Sequence, residues 1–205
     1  MITFALIALV ASALFSALQL QRSAEKLADE PKVTLQAASL SALFIGVAAL
    51  AELLLDNSDI DLQTLQRMLS NLAYYAALPL LASAIIVTAR NDHWSRPAWG
   101  RWLIGLFALF ELLRRMEHGE LYTQILAVAI SVAVLYATII QSNATLRRTA
   151  LLITLNLSLA LLLFGPGSLL PEHSSPFLYP VLLAATLPLI ASGLKLGTLS
   201  TNKKA

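Results

Sequence analysis

Val33-Thr-Leu-Gln-Ala-Ala-Ser-Leu-Ser-Ala-Leu-Phe-Ile-Gly-Val-Ala-Ala-Leu-Ala-Glu52-Leu-Leu-Leu55 contains one ionisable side chain. A helix needs about 20 mostly apolar residues to cross the roughly 30 Å hydrocarbon core of a bilayer. This stretch is long enough, and its single charge, Glu52, falls near one end. It does not alternate as a barrel strand would, and an open strand cannot satisfy its backbone in lipid. It predicts a transmembrane helix.

Comparable runs cover residues 2–20, 69–89, 98–116, 121–140, 149–165 and 176–196. The expected fold is therefore an all-α integral membrane protein of seven transmembrane helices, a single domain over residues 1–205. Composition agrees. Charged residues make up 13% of the 205, against about 25% in a soluble domain, and the mean hydropathy is +0.73. Met1–Leu20 lacks the basic start of a cleaved leader and reads as the first helix. The absence of cysteine excludes disulfides, thiolate metal sites and cysteine nucleophiles. Basic residues are few and scattered, so no nucleic-acid partner is expected.

Charge sets the orientation, because loops left in the cytoplasm are enriched in Lys and Arg. Arg22, Lys26 and Lys32 follow the first run; Arg90, Arg96 and Arg101 the third; Arg147 and Arg148 the fifth; Lys195, Lys203 and Lys204 the seventh. Those are eleven of the fourteen basic residues, and only Arg67, Arg114 and Arg115 fall on the other side. The N-terminus is expected outside and the C-terminus in the cytoplasm, in a bacterial inner membrane. Trp94, Trp99 and Trp102 then mark the cytoplasmic interface, and Tyr74, Tyr75, Tyr122 and Tyr179 the outer one.

Ala77-Leu-Pro-Leu-Leu-Ala-Ser83 in the third run matches Thr186-Leu-Pro-Leu-Ile-Ala-Ser192 in the seventh at five of seven positions. Both segments place a proline near mid-membrane, which frees a carbonyl and permits a bend. The match suggests a 3+1+3 plan, in which two parallel three-helix repeats are joined by helix four. That plan is similar to the SWEET sugar carriers, although the Pro-Gln signature of their wider group is missing.

Helix four ends in Glu111-Leu-Leu-Arg114-Arg115-Met-Glu117-His118-Gly-Glu120. Arg101 to Arg114 covers about 20 Å at 1.5 Å per residue, which is short for the hydrocarbon core, and charges near hydrocarbon mark a site by default. Glu111, Arg114, Arg115 and His118 share one helical face. Glu52, Asp56, Asn71, Tyr74 and Tyr75 arrive at the same level from helices two and three, with Tyr122, Gln124, Glu172 and His173 nearby. Three readings follow. In the first, the groups simply wet the helix ends and pair there. They could form an outward-facing pocket, in which Arg114 and Arg115 grip an anion or lipid headgroup through forked hydrogen bonds. Or His118, His173 and Glu117 could hold a metal, although no His-x-x-x-His spacing supports this.

The leading expectation is a protein that binds or transports a small polar or anionic ligand, or that serves as a subunit of a membrane complex. The alternative is an integral-membrane hydrolase or lipid-modifying enzyme with a His/carboxylate site on the outer face. No cofactor is strongly implied. Membrane lipids are expected neighbours, and a homo-oligomer is compatible with the sequence. Asn156, near the middle of helix six, is expected to hydrogen-bond a neighbouring helix.

Overall fold

The computed structural model describes residues 1–27, 29–55, 59–115 and 119–202; within these, the side chains of Glu30, Arg114, Arg115, Pro171 and residues 200–202 are not described. Among the described residues seven long helices follow one another: α1 Ile2–Ala24, α2 Asp29–Leu54, α3 Ile60–Arg90, α4 Arg96–Arg115, α5 Gly119–Ile140, α6 Ala144–Phe164 and α7 Leu178–Asn202. A short 3-10 turn, Pro171–His173, lies in the loop before α7. Helix makes up 87% of the described residues, so most connections are too short to let consecutive helices separate.

Six of these helices, all but α4, are long and apolar enough to cross a membrane. Their outer surfaces show the same character: Phe4 is 77% exposed, Ile139 69% and Leu155 58%. Apolar exposure repeated from helix to helix suits acyl chains and not water. This is the architecture of a multi-pass integral membrane protein. Helix α4 has the length to cross but carries Arg96, Arg101, Glu111, Arg114 and Arg115.

The helices outrun the apolar segments because polar turns at the interface remain helical. Asn143 caps α6 through Oδ1, which accepts from the backbone N–H of Thr145 at 3.0 Å. Asn91, at φ 60°, ends α3 in the left-handed conformation. The largest difference is at the start of α3, expected at residue 69 but found at Ile60. Asp59 caps this turn by accepting from the N–H of Asp61 at 2.9 Å, and no glycine or proline interrupts the next eighteen residues. The extension Ile60–Asn71 is amphipathic and buries none of its residues.

Helix α3 widens into a π-helical turn at Leu72–Ala77, where the N–H of Leu78 reaches back to Ala73 O. Pro79 follows directly. Its ring would crowd the carbonyl four residues earlier, and the wide turn relieves that clash. Pro188 sits inside a regular stretch of α7. The two matched segments therefore differ locally: Ser83 donates to Pro79 O at 2.8 Å, while Ser192 donates to Leu189 O at 2.9 Å.

Packing closes a ring in the order α1, α2, α3, α5, α6, α7 and back to α1, with α3 also touching α7 across it. At that crossing a Cβ on Gly197 would stand 2.7 Å from Thr88 Cγ2, so the two backbones approach closely. Helix α4 lies outside the ring against α3 and α5. The Trp102 indole donates to Ser83 Oγ at 3.0 Å, and Phe110 stacks on Tyr75 with centroids 4.1 Å apart. Moving eight residues along α4 thus moves eight back along α3, so the two run antiparallel for most of the depth of the bundle. Between α5 and α6 the hydrogen bond is made by Thr138 and Thr154, at 2.8 Å. Asn156, expected in that role, is half-buried, and its side chain makes no hydrogen bond among the described residues.

A small cavity lined by Thr88, Gln141, Leu146 and Leu194 brings the corresponding ends of α3, α5, α6 and α7 together. Arg90, Arg147, Arg148 and Lys195 therefore belong to one end of the bundle. Trp94 packs there against Trp99 and Trp102, with centroids 5.0 and 6.5 Å away.

Candidate functional site

At the end opposite the basic loops, α1, α2, α3 and α7 part around a cavity of about 330 Å³, at the small end of the range for ligand pockets. Leu6 and Leu9 of α1, Ile45 and Ala48 of α2, Leu78 of α3 and Leu183 of α7 make its apolar wall. Polar groups join them: Glu52 from α2, Ser70 and Tyr74 from α3, Ser174 and Ser175 from the loop, and Tyr179 from α7. Among the described residues Glu52 is the one charged group in the lining, and none of those in the lining is basic.

The position of Glu52 adds to its effect. It lies in the last turn of α2, which ends at Leu54. The unpaired carbonyls of a helix C-terminus carry partial negative charge. Carboxylate and helix end thus bias the cavity the same way, toward a cation or a hydrogen-bond donor. Tyr179 and Tyr74 line the same cavity as Glu52.

The wall formed by the loop after α6 is held by its backbone. Helix α6 also ends in a π turn, Ala160–Phe164, followed by extended Gly165. A Cβ on Gly165 would stand 2.9 Å from Ala160 O and 3.0 Å from the Tyr179 ring, so the loop lies flat on that tyrosine. Gly167 is tighter still: a Cβ there would meet Tyr74 Oη and stand 2.5 Å from Thr123 O. Ser168 Oγ is 2.9 Å from Leu163 O and accepts from the Leu170 N–H at 3.1 Å. Ser175 Oγ accepts from the Leu178 N–H at 3.2 Å and so starts α7.

Tyr74 and Tyr75 sit in the widened turn of α3 and face different neighbours. Tyr74 is buried, lines the cavity and donates to Thr123 O at 3.3 Å. Tyr75 turns to α4 and α5, where it stacks on Phe110 and on Tyr122, the latter 5.5 Å away. The Tyr122 hydroxyl is buried with no hydrogen-bond partner among the described residues.

No protein-family model, no curated protein and no solved structure matches this chain.

The structure brings only part of the expected set together. Glu52 and Tyr74 share the cavity, while Asn71, Tyr75 and Glu111 are half-buried outside its lining. By the α3–α4 register, Glu111 lies level with Tyr74. Arg114 and Arg115 end α4, and their side chains lie outside the described atoms. Asp56, Glu117 and His118 lie outside the described residues. His173 is exposed on the 3-10 turn, and no group of three His, Asp or Glu residues that could hold a metal occurs among the described residues. Sequence reasoning missed Ser70, Ser174 and Ser175, and it treated Tyr179 only as an interface marker. Ser174-Ser175 before Pro176 did signal a helix cap, but nothing local said which cavity the cap would border.

Proposed function

We propose that this protein binds a small ligand in the cavity between α1, α2, α3 and α7, on the outer side of a bacterial inner membrane. One observation carries the reading: among the described residues, Glu52 is the lone charge in a mainly apolar pocket of ligand size. The ligand class it suits is a small molecule with an apolar body and an ammonium or other donor group. This departs from the anionic ligand suggested by Arg114 and Arg115, which belong to α4 on the far side of α3.

Orientation and transport belong to the same proposal. The gathering of Arg90, Arg147, Arg148 and Lys195 at one end supports a cytoplasmic face there and a cavity facing out. The ring order supports the 3+1+3 plan, since exchanging α1–α3 with α5–α7 leaves that order unchanged, with α4 outside as the linker. Carriage of the ligand across the membrane would follow if the two halves rock about the cavity.

Calorimetry on the purified chain tests the site with benzylammonium, benzyl alcohol and benzoate as probes of one shape. Benzylammonium should bind best and benzoate worst. Glu52→Gln should weaken benzylammonium by roughly 10- to 100-fold, the worth of a hydrogen bond to a charged group, and leave benzyl alcohol nearly unchanged. Equal binding of all three probes, or an unaffected Glu52→Gln variant, would sink the reading.

A further inference from the structure

A second cleft, of about 540 Å³, opens between α1 and α7 at the basic end. These are the first and last helices, yet they run parallel. Ser12 Oγ donates to Ala184 O at 2.5 Å. The same offset along the chain sets Ser23 level with Lys195 and Lys26 level with Thr198, and these four residues all line the cleft.

The cleft changes character along its length. Phe15 and Leu18, 60% and 56% exposed, form its membrane-side end. Arg22, Lys26 and Lys195 surround its mouth, with Gln19 between. Phe15 to Ala24 is about 14 Å of helix, and Lys26 follows in the turn just beyond, so one continuous cleft passes from acyl depth to headgroup depth. No carboxylate lines it among the described residues, and Glu25, which ends α1, is not part of it. None of the three cations has an ion-pair partner among the described residues. The Gln19 amide makes no hydrogen bond there either.

We propose that this cleft binds one anionic phospholipid. Its phosphate sits among Arg22, Lys26 and Lys195, the Gln19 amide donates to the headgroup, and the acyl chains run over Phe15 and Leu18. Three unpaired cations around one concave mouth call for a compact anion. Basic pockets between transmembrane helices hold phosphate headgroups in this way. The exposed apolar wall just below selects a phosphate that carries chains over a free one. The inference is independent of the ligand proposed for the Glu52 cavity, which lies at the opposite end of the same two helices.

Native mass spectrometry of the full chain in detergent, offered phosphatidylglycerol or phosphatidylcholine, tests the site. The wild-type protein should retain one phosphatidylglycerol and release phosphatidylcholine. Neutralising each cation should cost about fivefold in affinity, the equivalent of ~1 kcal/mol. The triple variant Arg22→Gln/Lys26→Gln/Lys195→Gln should lose roughly 100-fold, and Lys26→Arg/Lys195→Arg should bind as the wild type does. Circular dichroism checks that the variants stay helical, and the wild-type comparison of the two lipids stands without them. Equal retention of both lipids, retention of phosphatidylglycerol by a folded triple variant, or equally tight binding of inorganic phosphate would each overturn the proposal.

Discussion

The Tyr75 hydroxyl lies 2.6 Å from Thr123 Oγ1. Thr123 Oγ1 in turn donates to Gly119 O at 2.7 Å, so Tyr75 is the donor of the pair. One hydrogen bond thus joins α3 to the first turn of α5, beside the stack of Tyr75 on Phe110 and Tyr122. Hydrogen bonds between membrane helices are worth about 0.6 kcal/mol on average, and an aromatic pair about 0.5–1.5 kcal/mol beyond its buried area. Tyr75→Phe should therefore destabilise the chain by about 0.6 kcal/mol, and Tyr75→Ala by several times that. Unfolding in mixed detergent measures both; equal losses would mean that the stack contributes nothing.

Gly167 allows the loop after α6 to lie against Tyr74 and the Thr123 carbonyl. The Cβ of Gly167→Ala would press on a backbone oxygen, which cannot rotate away. The expected cost is about 1–3 kcal/mol, together with weaker binding of benzylammonium, because the same loop borders the cavity. Gly100→Ala is the control, as nothing lies within 4 Å of a Cβ at Gly100. If the two variants unfolded alike, the close approach at Gly167 would have no energetic weight.

Between α1 and α2 the tight point is Gly46, where a Cβ would stand 3.0 Å from that of the fully buried Ala13. Gly46→Ala should cost about 1 kcal/mol or more through overpacking. Ala13→Gly in the same chain should recover most of the loss by giving the methyl group back its space. The paired measurement is a double-mutant cycle. Purely additive losses would show that the two positions do not share one contact.

Depth along each helix was legible in the sequence, but direction around the helix axis was not. Glu52, Tyr74 and Tyr75 were assigned to one level from their distance to the helix ends, and they do sit at one end of the bundle. Whether neighbouring residues share a pocket depends on which side of the helix each occupies. Adjacent Tyr74 and Tyr75 are about 100° apart around α3, and they face the cavity and α4 respectively. The extension of α3 to Ile60 escaped for another reason. Ile60-Asp-Leu-Gln-Thr-Leu-Gln-Arg-Met-Leu-Ser-Asn71 is too polar to count as a membrane span, and a search for apolar runs ignores amphipathic helices.

The ring makes a directional prediction about the membrane, and the lack of cysteine makes it simple to test. The chain should span so that the loop after α3 and the start of α6 face one compartment, and the loop before α7 faces the other. His93, Asn143 and Ser174 are exposed in those three places. Single variants His93→Cys, Asn143→Cys and Ser174→Cys, in otherwise cysteine-free protein, should label asymmetrically with an impermeant maleimide on intact cells. Ser174→Cys should react from outside, and the other two only after the cells are opened. This outcome also requires α4 to cross, because the α3–α4 and α5–α6 loops fall on one side only if it does. Should Asn143→Cys label from outside while His93→Cys does not, α4 would not span. The basic ends of α3 and α6 would then lie on opposite faces, and both the 3+1+3 plan and the outward-facing cavity would have to be given up.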